Sequence, residues 1–130
     1  MQEMSSAAEN KQIISDAYTA MAAGDIKGFI GVLDPEIVIS EPACLPYGGT
    51  FTGLGEVMGM FAKAGPVLDS GRLKIEELSA DDDRVAAVIR VPLRDGSGEA
   101  RIAEHWRLRD GKATALDVFW ADPTIVANGA

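Results

Sequence analysis

The chain has 130 residues, with 20 Asp and Glu against 12 Lys and Arg, a formal net charge of −8, one histidine and one cysteine. That balance repels a polyanion, and no Lys/Arg-rich stripe offsets it, so nucleic acid is excluded from the expected partners. The lone Cys44 rules out an intrachain disulfide and the lone His105 a multi-histidine zinc site, so no metal or cofactor is expected and any chemistry falls to carboxyls and hydroxyls.

A hydrophobic share of 47% with 25% charged residues is an ordinary globular mix, and the length suits one domain. The start of the chain, Met1 to Ser6, has neither the basic nor the apolar region of a signal peptide. No apolar run approaches the ~20 residues that span a bilayer, so a cytoplasmic protein without membrane association is expected.

Ser6 and Glu9 have capping-box spacing, and Ile14, Ala17, Tyr18 and Met21 then recur at i, i+3, i+4, i+7, which predicts an amphipathic helix. Gly24 stops it in a left-handed conformation, and Asp25 caps a second helix over Ile26 to Leu33, ended by Asp34-Pro35. From Glu36 the pattern turns β-branched. Ile37, Ile39 and Glu41 share one face of a short strand that Pro42 terminates, and residues 46–53 read as a turn-rich loop. A third helix spans Leu54 to about Ala64, with Leu54, Val57, Met58 and Phe61 on one side. Four strands follow: Leu73 to Ser79, Arg84 to Arg94, Glu99 to Arg109 and Lys112 to Trp120, with Asp110-Gly111 as a two-residue hairpin turn. Helices first and strands last, without βαβ alternation, give an α+β fold: a cone-shaped, curved antiparallel sheet wrapped by three helices of the N-terminal half.

Strand parity sorts the side chains. Val85, Ala87, Ile89, Val91 and Leu93 point inward on one strand, and Ala100, Ile102, Glu104, Trp106 and Leu108 on the next. On the last strand the inward set is Thr114, Leu116, Val118 and Trp120. Glu104 is the anomaly, because an ionised, unpaired carboxyl among such neighbours costs several kcal/mol. Glu41 also projects as two apolar residues do. Two acids at one apolar pocket can split their ionisations, one as base and the other as neutral donor, which suits proton abstraction beside a carbonyl. The same residues leave a second reading open, with Glu41 in solvent at a strand end and Glu104 paired with an Arg such as Arg90 or with a backbone amide.

The segments Tyr18–Asp25, Ile37–Pro42, Pro46–Gly53 and Glu104–Lys112 resemble the nuclear transport factor 2-like superfamily, which includes ketosteroid isomerase and the SnoaL-like polyketide cyclases, over about residues 10–124 of a single domain spanning 1–130. The resemblance implies that Glu41, before Pro42, stands where the isomerase has its general base, and Glu104, before His105-Trp106, where it has its protonated oxyanion donor. The isomerase's catalytic tyrosine falls on Ala17, with Tyr18 one residue later and about 100° round the helix. Tyr18 and Tyr47 are the candidate hydroxyl donors, and Ala17, Met58, Phe61, Trp106, Val118 and Trp120 the candidate pocket wall. The resemblance also implies a homodimer. The expected function is cofactor-independent acid/base catalysis on a small apolar carbonyl compound, by an isomerase, cyclase or dehydratase. The alternative is a noncatalytic ligand-binding or dimerisation domain of the same fold. Epoxide hydrolysis wants an Arg-x-Asp pair, and Arg101-Ile102-Ala103-Glu104 has the wrong spacing.

Overall fold

The capping box at Ser6 starts the first helix: Glu9 N donates to the Ser6 hydroxyl at 3.1 Å and Ser6 N to the Glu9 carboxylate at 2.8 Å. The computed structural model describes residues 6–127, so Met1–Ser5, read above for targeting signals, lie outside the described residues. Helix α1 (Ala7–Ala23) buries Asn10, Ile14, Ala17 and Tyr18 and ends at Gly24, whose φ of 75° is the left-handed region expected of it. Helix α2 is shorter than its apolar pattern predicts. It spans Ile26–Ile30, and Leu33 already opens a strand. Gly28 and Gly31 weaken the last turn, while the Val32 carbonyl accepts from Ala113 N at 2.8 Å and draws the chain into the sheet.

Strand β1 (Leu33–Glu41) is followed by a loop, β2 (Gly49–Thr52) and α3 (Gly53–Ala64). Then come a short 3-10 turn at Ser70–Arg72, β3 (Lys74–Ala80), β4 (Arg84–Pro92), β5 (Glu99–Arg109), β6 (Lys112–Trp120) and α4 (Thr124–Ala127). The six strands lie in the order β2-β1-β6-β5-β4-β3. Two features correct the sequence reading. Residues 49–52, read as loop, pair with β1 as an antiparallel edge strand, Ile39 opposite Phe51 and Glu41 opposite Gly49. And the sheet is mixed, because β1 runs parallel to β6, with Ser40 beside Asp117. A short fourth helix also joins the three expected.

The core fills the space between the sheet and the helices, with Ile37, Ile39, Val57, Met60, Val85, Val91 and Trp106 all nearly inaccessible. On β6 the expected inward set holds for Leu116, Val118 and Trp120 but not for Thr114, which is only partly buried, while Ala113 is fully so. The cause is a bulge. Arg107 pairs with Ala115 but Leu108 with Ala113, which leaves Thr114 outside the ladder and shifts the parity by one.

The loop from Pro42 to Gly48 is folded tightly enough to fix its one buried aromatic, Tyr47. Leu45 N donates to the Pro42 carbonyl at 3.1 Å and Gly48 N to the Leu45 carbonyl at 2.9 Å. A Cβ on Gly48 would fall 2.0 Å from the Pro42 oxygen, whereas one on Gly55, in α3, would meet nothing within 4 Å. Gly48→Ala is therefore expected to lose about 1–3 kcal/mol in urea unfolding, as overpacked sites do. Gly55→Ala is expected to gain up to about 1 kcal/mol as a helix-interior substitution.

Candidate active site

Three neighbouring strands build the site. On β5, Glu104 lies opposite Val118 of β6, and the parallel register of β1 on β6, continued one residue past Ser40 and Asp117, sets Glu41 beside the same Val118. The row Glu104, Val118, Glu41 crosses the concave face of the sheet, with about 10 Å between the two outer backbones. Both acids project over Val118 from either side. Beyond Glu41 the tight loop delivers Tyr47, whose ring packs against Trp120 with centroids 6.5 Å apart and planes at 57°.

These side chains share a cavity of about 230 Å³. Its wall is mostly apolar, from Phe29, Met58, Phe61, Ile102, Val118 and Trp120 among others, with Glu41, Glu104 and Tyr47 as polar groups and Ser70 and Arg94 at the rim. A wider depression of about 380 Å³ over Asn10, Asp82, Asp83, Arg107 and Thr114 contains neither of these carboxyls. The smaller cavity holds both carboxyls, whereas an outer depression of about 360 Å³ beside Pro42 and Phe119 reaches Glu41 without Glu104.

Glu104 is held from behind. Tyr18 OH donates to Glu104 Oε1 at 2.6 Å, and Trp106 Nε1 donates to the same hydroxyl at 2.9 Å. An indole N–H has no acceptor capacity, so the Tyr18 oxygen accepts from Trp106. With Glu104 ionised, the Tyr18 proton lies toward it and the chain runs from Trp106 to Tyr18 to Glu104. The two rings meet edge-on, with centroids 6.0 Å apart and planes at 81°.

No cation neutralises either acid: among the described residues, no ion pair includes Glu41 or Glu104. Arg90, the partner considered for Glu104, lies with Glu76 and Glu99 instead, at 3.0 and 3.2 Å. Burial pushes the Glu41 carboxyl up to about 8, with the nearby Glu104 charge adding to the rise. Burial also pushes Glu104 up, to about 7, against the lowering effect of the Tyr18 hydrogen bond. The Tyr18 donor favours ionisation of Glu104, whereas Glu41 Oε1 has no donor, which biases the pair's first ionisation toward Glu104. Burial, then the charges of Glu41 and Glu104, hold the Tyr47 hydroxyl far above its ordinary value, so Tyr47 is a phenol rather than a phenolate. Tyr18 is raised as well, by burial first and by Glu104 second.

Of the residues singled out from sequence, Glu41, Glu104, Tyr47, Met58, Phe61, Val118 and Trp120 line the cavity. Tyr18 reaches Glu104 from the core side, bridging the 100° that separates it from Ala17 with the length of its phenol. Ala17 and Trp106, expected on the wall, are core residues at 0% and 1% exposure and are not among the lining residues. Phe29 and Ile102 were missed as wall residues, although both stand on apolar faces that the periodicity identifies. Trp106 as donor to Tyr18 was missed too, and its only signal is the general rule that a buried indole N–H finds an acceptor. Three buried polar atoms of the lining residues have no hydrogen-bond partner: Glu41 Oε1, Tyr47 OH and Trp120 Nε1.

The two raised carboxyls set the sign of a pH effect on folding. From the ordinary value of 4.5 up to about 7 for Glu104 and 8 for Glu41, the folded state binds more protons than the unfolded chain. Their stabilising contribution is complete below about pH 4.5 and is lost as pH rises through 7 and 8. Urea midpoints measured from pH 5 to 9 are expected to fall more steeply for the wild type than for the Glu41→Gln/Glu104→Gln double variant. Parallel curves would show that these carboxyls ionise freely in the folded protein.

Comparison with known proteins agrees with this architecture. The SnoaL-like domain family matches residues 14–116. An NTF2-like protein of Burkholderia thailandensis E264 is 29% identical, with 91% of this chain and 94% of that one aligned at a TM-score of 0.79. An NTF2-like protein of Burkholderia xenovorans LB400 is 25% identical over 94% of this chain and 95% of its own, at a TM-score of 0.76. TerC, solved with polyporic acid, shares the fold at 23% identity and a TM-score of 0.76, over 90% of this chain and 94% of its own. No curated protein is significantly similar in sequence. With a cone of this topology and a family match over most of its length, the chain belongs to the SnoaL-like domain family of the NTF2-like superfamily.

Proposed function

We propose that the protein is a cofactor-independent acid/base enzyme that moves a proton on a small, mostly apolar carbonyl compound, as an isomerase, cyclase or lyase. The observation that carries this reading is the pair Glu41 and Glu104, two carboxyls without a cation that line one apolar cavity and have different hydrogen-bond surroundings. Such a pair separates into a base and a neutral donor near neutral pH.

The Tyr18 hydrogen bond to Glu104 and the lack of a donor at Glu41 Oε1 support roles in the reverse of the order carried over by resemblance. Glu104, supported by the Tyr18 proton, is the carboxylate and takes a proton from the carbon beside the carbonyl. The electron pair of that C–H bond moves into the adjacent C–C bond and the carbonyl π pair onto oxygen. Glu41, still protonated, donates a hydrogen bond to the developing enolate. As the enolate electrons return, the proton on Glu104 is delivered either to another carbon or to a leaving group as its bond to carbon breaks, and the carboxylate is regenerated. Tyr18 already occupies Oε1, so Oε2 is the oxygen free to take the substrate proton. The solution of TerC with polyporic acid supports a small organic ligand for the fold.

Exchange of α-protons in D2O tests the chemistry without knowledge of the natural substrate. With 3-cyclohexenone and 2-tetralone as probes, the wild type is expected to exchange them above the buffer rate. Glu104→Gln should lower the enzymatic rate at least about 100-fold, the scale of a positioned general base. The rate should rise with pH through about 7 and fall through about 8, following the two carboxyls. Probes that bind the wild type yet exchange no faster than in buffer would favour the noncatalytic ligand-binding domain.

A further inference from the structure

The two tryptophans of the inward face differ in one respect. Trp106 donates its N–H to Tyr18, whereas the N–H of Trp120, on a residue 9% exposed at the cavity wall, has no acceptor. A buried donor left unpaired is costly, and so calls for a physical account. Trp120 does not stand alone. The hydroxyl of Tyr47, 3% exposed and packed against the Trp120 ring, is unpartnered as well, and so is Glu41 Oε1 on the adjoining strand. The catalytic reading uses Glu41 but leaves Trp120 and Tyr47 without a task.

Counting donors and lone pairs gives them one. Trp120 Nε1 can only donate. Tyr47 is a phenol in this site and offers one proton, and neutral Glu41 offers another. These three groups belong to one cavity wall, and a ketone oxygen has two lone pairs in its plane, so three donors are more than one such oxygen takes up. We propose that the ligand of this cavity presents two acceptor oxygens, one of them seated on Trp120 Nε1 and Tyr47 OH and the other facing the glutamate pair. The substrate class is then a compact apolar dicarbonyl, or a carbonyl compound with a second acceptor such as an ether or ester oxygen. Groups that only donate, such as an ammonium, are rejected at the Trp120 position because both would present hydrogens. The inference rests on the proposed function for the placement of the reacting oxygen, but its test requires no turnover.

Decalin, 1-decalone and decalin-1,5-dione share one skeleton and carry zero, one and two carbonyl oxygens. In calorimetric titration the wild type is expected to bind them with affinity increasing in that order. Trp120→Phe should weaken the dione about 5- to 10-fold, the worth of one neutral hydrogen bond, and leave decalin within about twofold. Tyr47→Phe should weaken the dione similarly, and it provides a second route to the answer if Trp120→Phe fails to fold by circular dichroism. In infrared spectra of the bound dione both carbonyl stretches should lie below their free positions, and one should return toward its free position in either variant. Glu104→Gln should leave that variant-sensitive band in place, so loss of proton exchange in Glu104→Gln with no Trp120 or Tyr47 effect would sink this inference and spare the catalytic reading. An unchanged exchange rate in Glu104→Gln with the band effect present would do the opposite. Equal affinities for 1-decalone and the dione, or carbonyl bands insensitive to both variants, would overturn the donor pair.

Discussion

The hydroxyl of Tyr18 is the point on which the site turns. It lies between a group that can only donate, the Trp106 indole, and a carboxyl that is strongly disfavoured as an ion in its apolar setting. One phenolic proton therefore ties α1 to β5 and stabilises the Glu104 carboxylate at the same time. A hydrogen bond to a charged group is worth about 1.5–3 kcal/mol, less than the several kcal/mol of effective desolvation for a buried ion. Both acids stay raised by burial, Glu104 against the lowering effect of Tyr18 and Glu41 with the Glu104 charge adding to its rise. Tyr18 is the hydrogen-bond donor that sets Glu104 apart from Glu41, and the base and donor roles proposed above rest on that difference.

The sheet delivers the second acid. Because β1 runs parallel to β6, Glu41 arrives at the end of its strand in the same row as Val118 and Glu104, rather than at a remote edge. The bulge at Thr114 shifts the β6 parity before that row is reached, so Val118 and Trp120 both face the cavity. Pro42 then ends β1 immediately after Glu41, and the loop it opens returns Tyr47 over Trp120. Backbone pairing thus places four polar side chains around one apolar volume, each from a different segment.

Much of this was legible because it is local. The capping box of α1, the left-handed stop at Gly24, the limits of β5 and β6 and the inward parity of Glu41 and Glu104 all follow from spacings within a few residues. What depends on distant pairing was not. Residues 49–52 contain turn formers and become a strand only because Ile39 and Glu41 offer an edge, and the parallel neighbour of β1 lies some 75 residues away by the pairing of Ser40 with Asp117. The end of α2 was misplaced for the same reason, since Leu33 has apolar helical spacing but finds Ala113 in the sheet. Tyr18 was placed on the correct face of α1 without its partner, because a contact across 86 residues has no trace in helical periodicity. Arg90, a plausible partner for Glu104 by charge alone, has the opposite fate: Glu76 is the extra residue of a bulge in β3, and it holds Arg90 together with Arg101.

The unsatisfied polar groups are concentrated at one cavity rather than scattered through the core. Buried carboxyls without cations are destabilising relative to apolar residues of similar size, and unpaired buried donors add to that burden. A chain constrained only to fold would have no reason to gather such groups, yet Glu41, Tyr47 and Trp120 supply three of the four buried, partnerless side-chain atoms among the described residues. All three line the same cavity, and two come from strands while the third is held there by a loop that tolerates no Cβ at the next position. Trp106, of the same residue type and on the same inward face, is fully satisfied a few residues of sheet away. The fourth of those atoms, Asn10 Oδ1, lies away from this cavity, so the departures from local rules are concentrated at one cavity without being confined to it. On the reading proposed above, a ligand with matching acceptors would offset the stability given up at Glu41, Tyr47 and Trp120, and the polarity of that ligand, more than its shape, would be the property this wall reads.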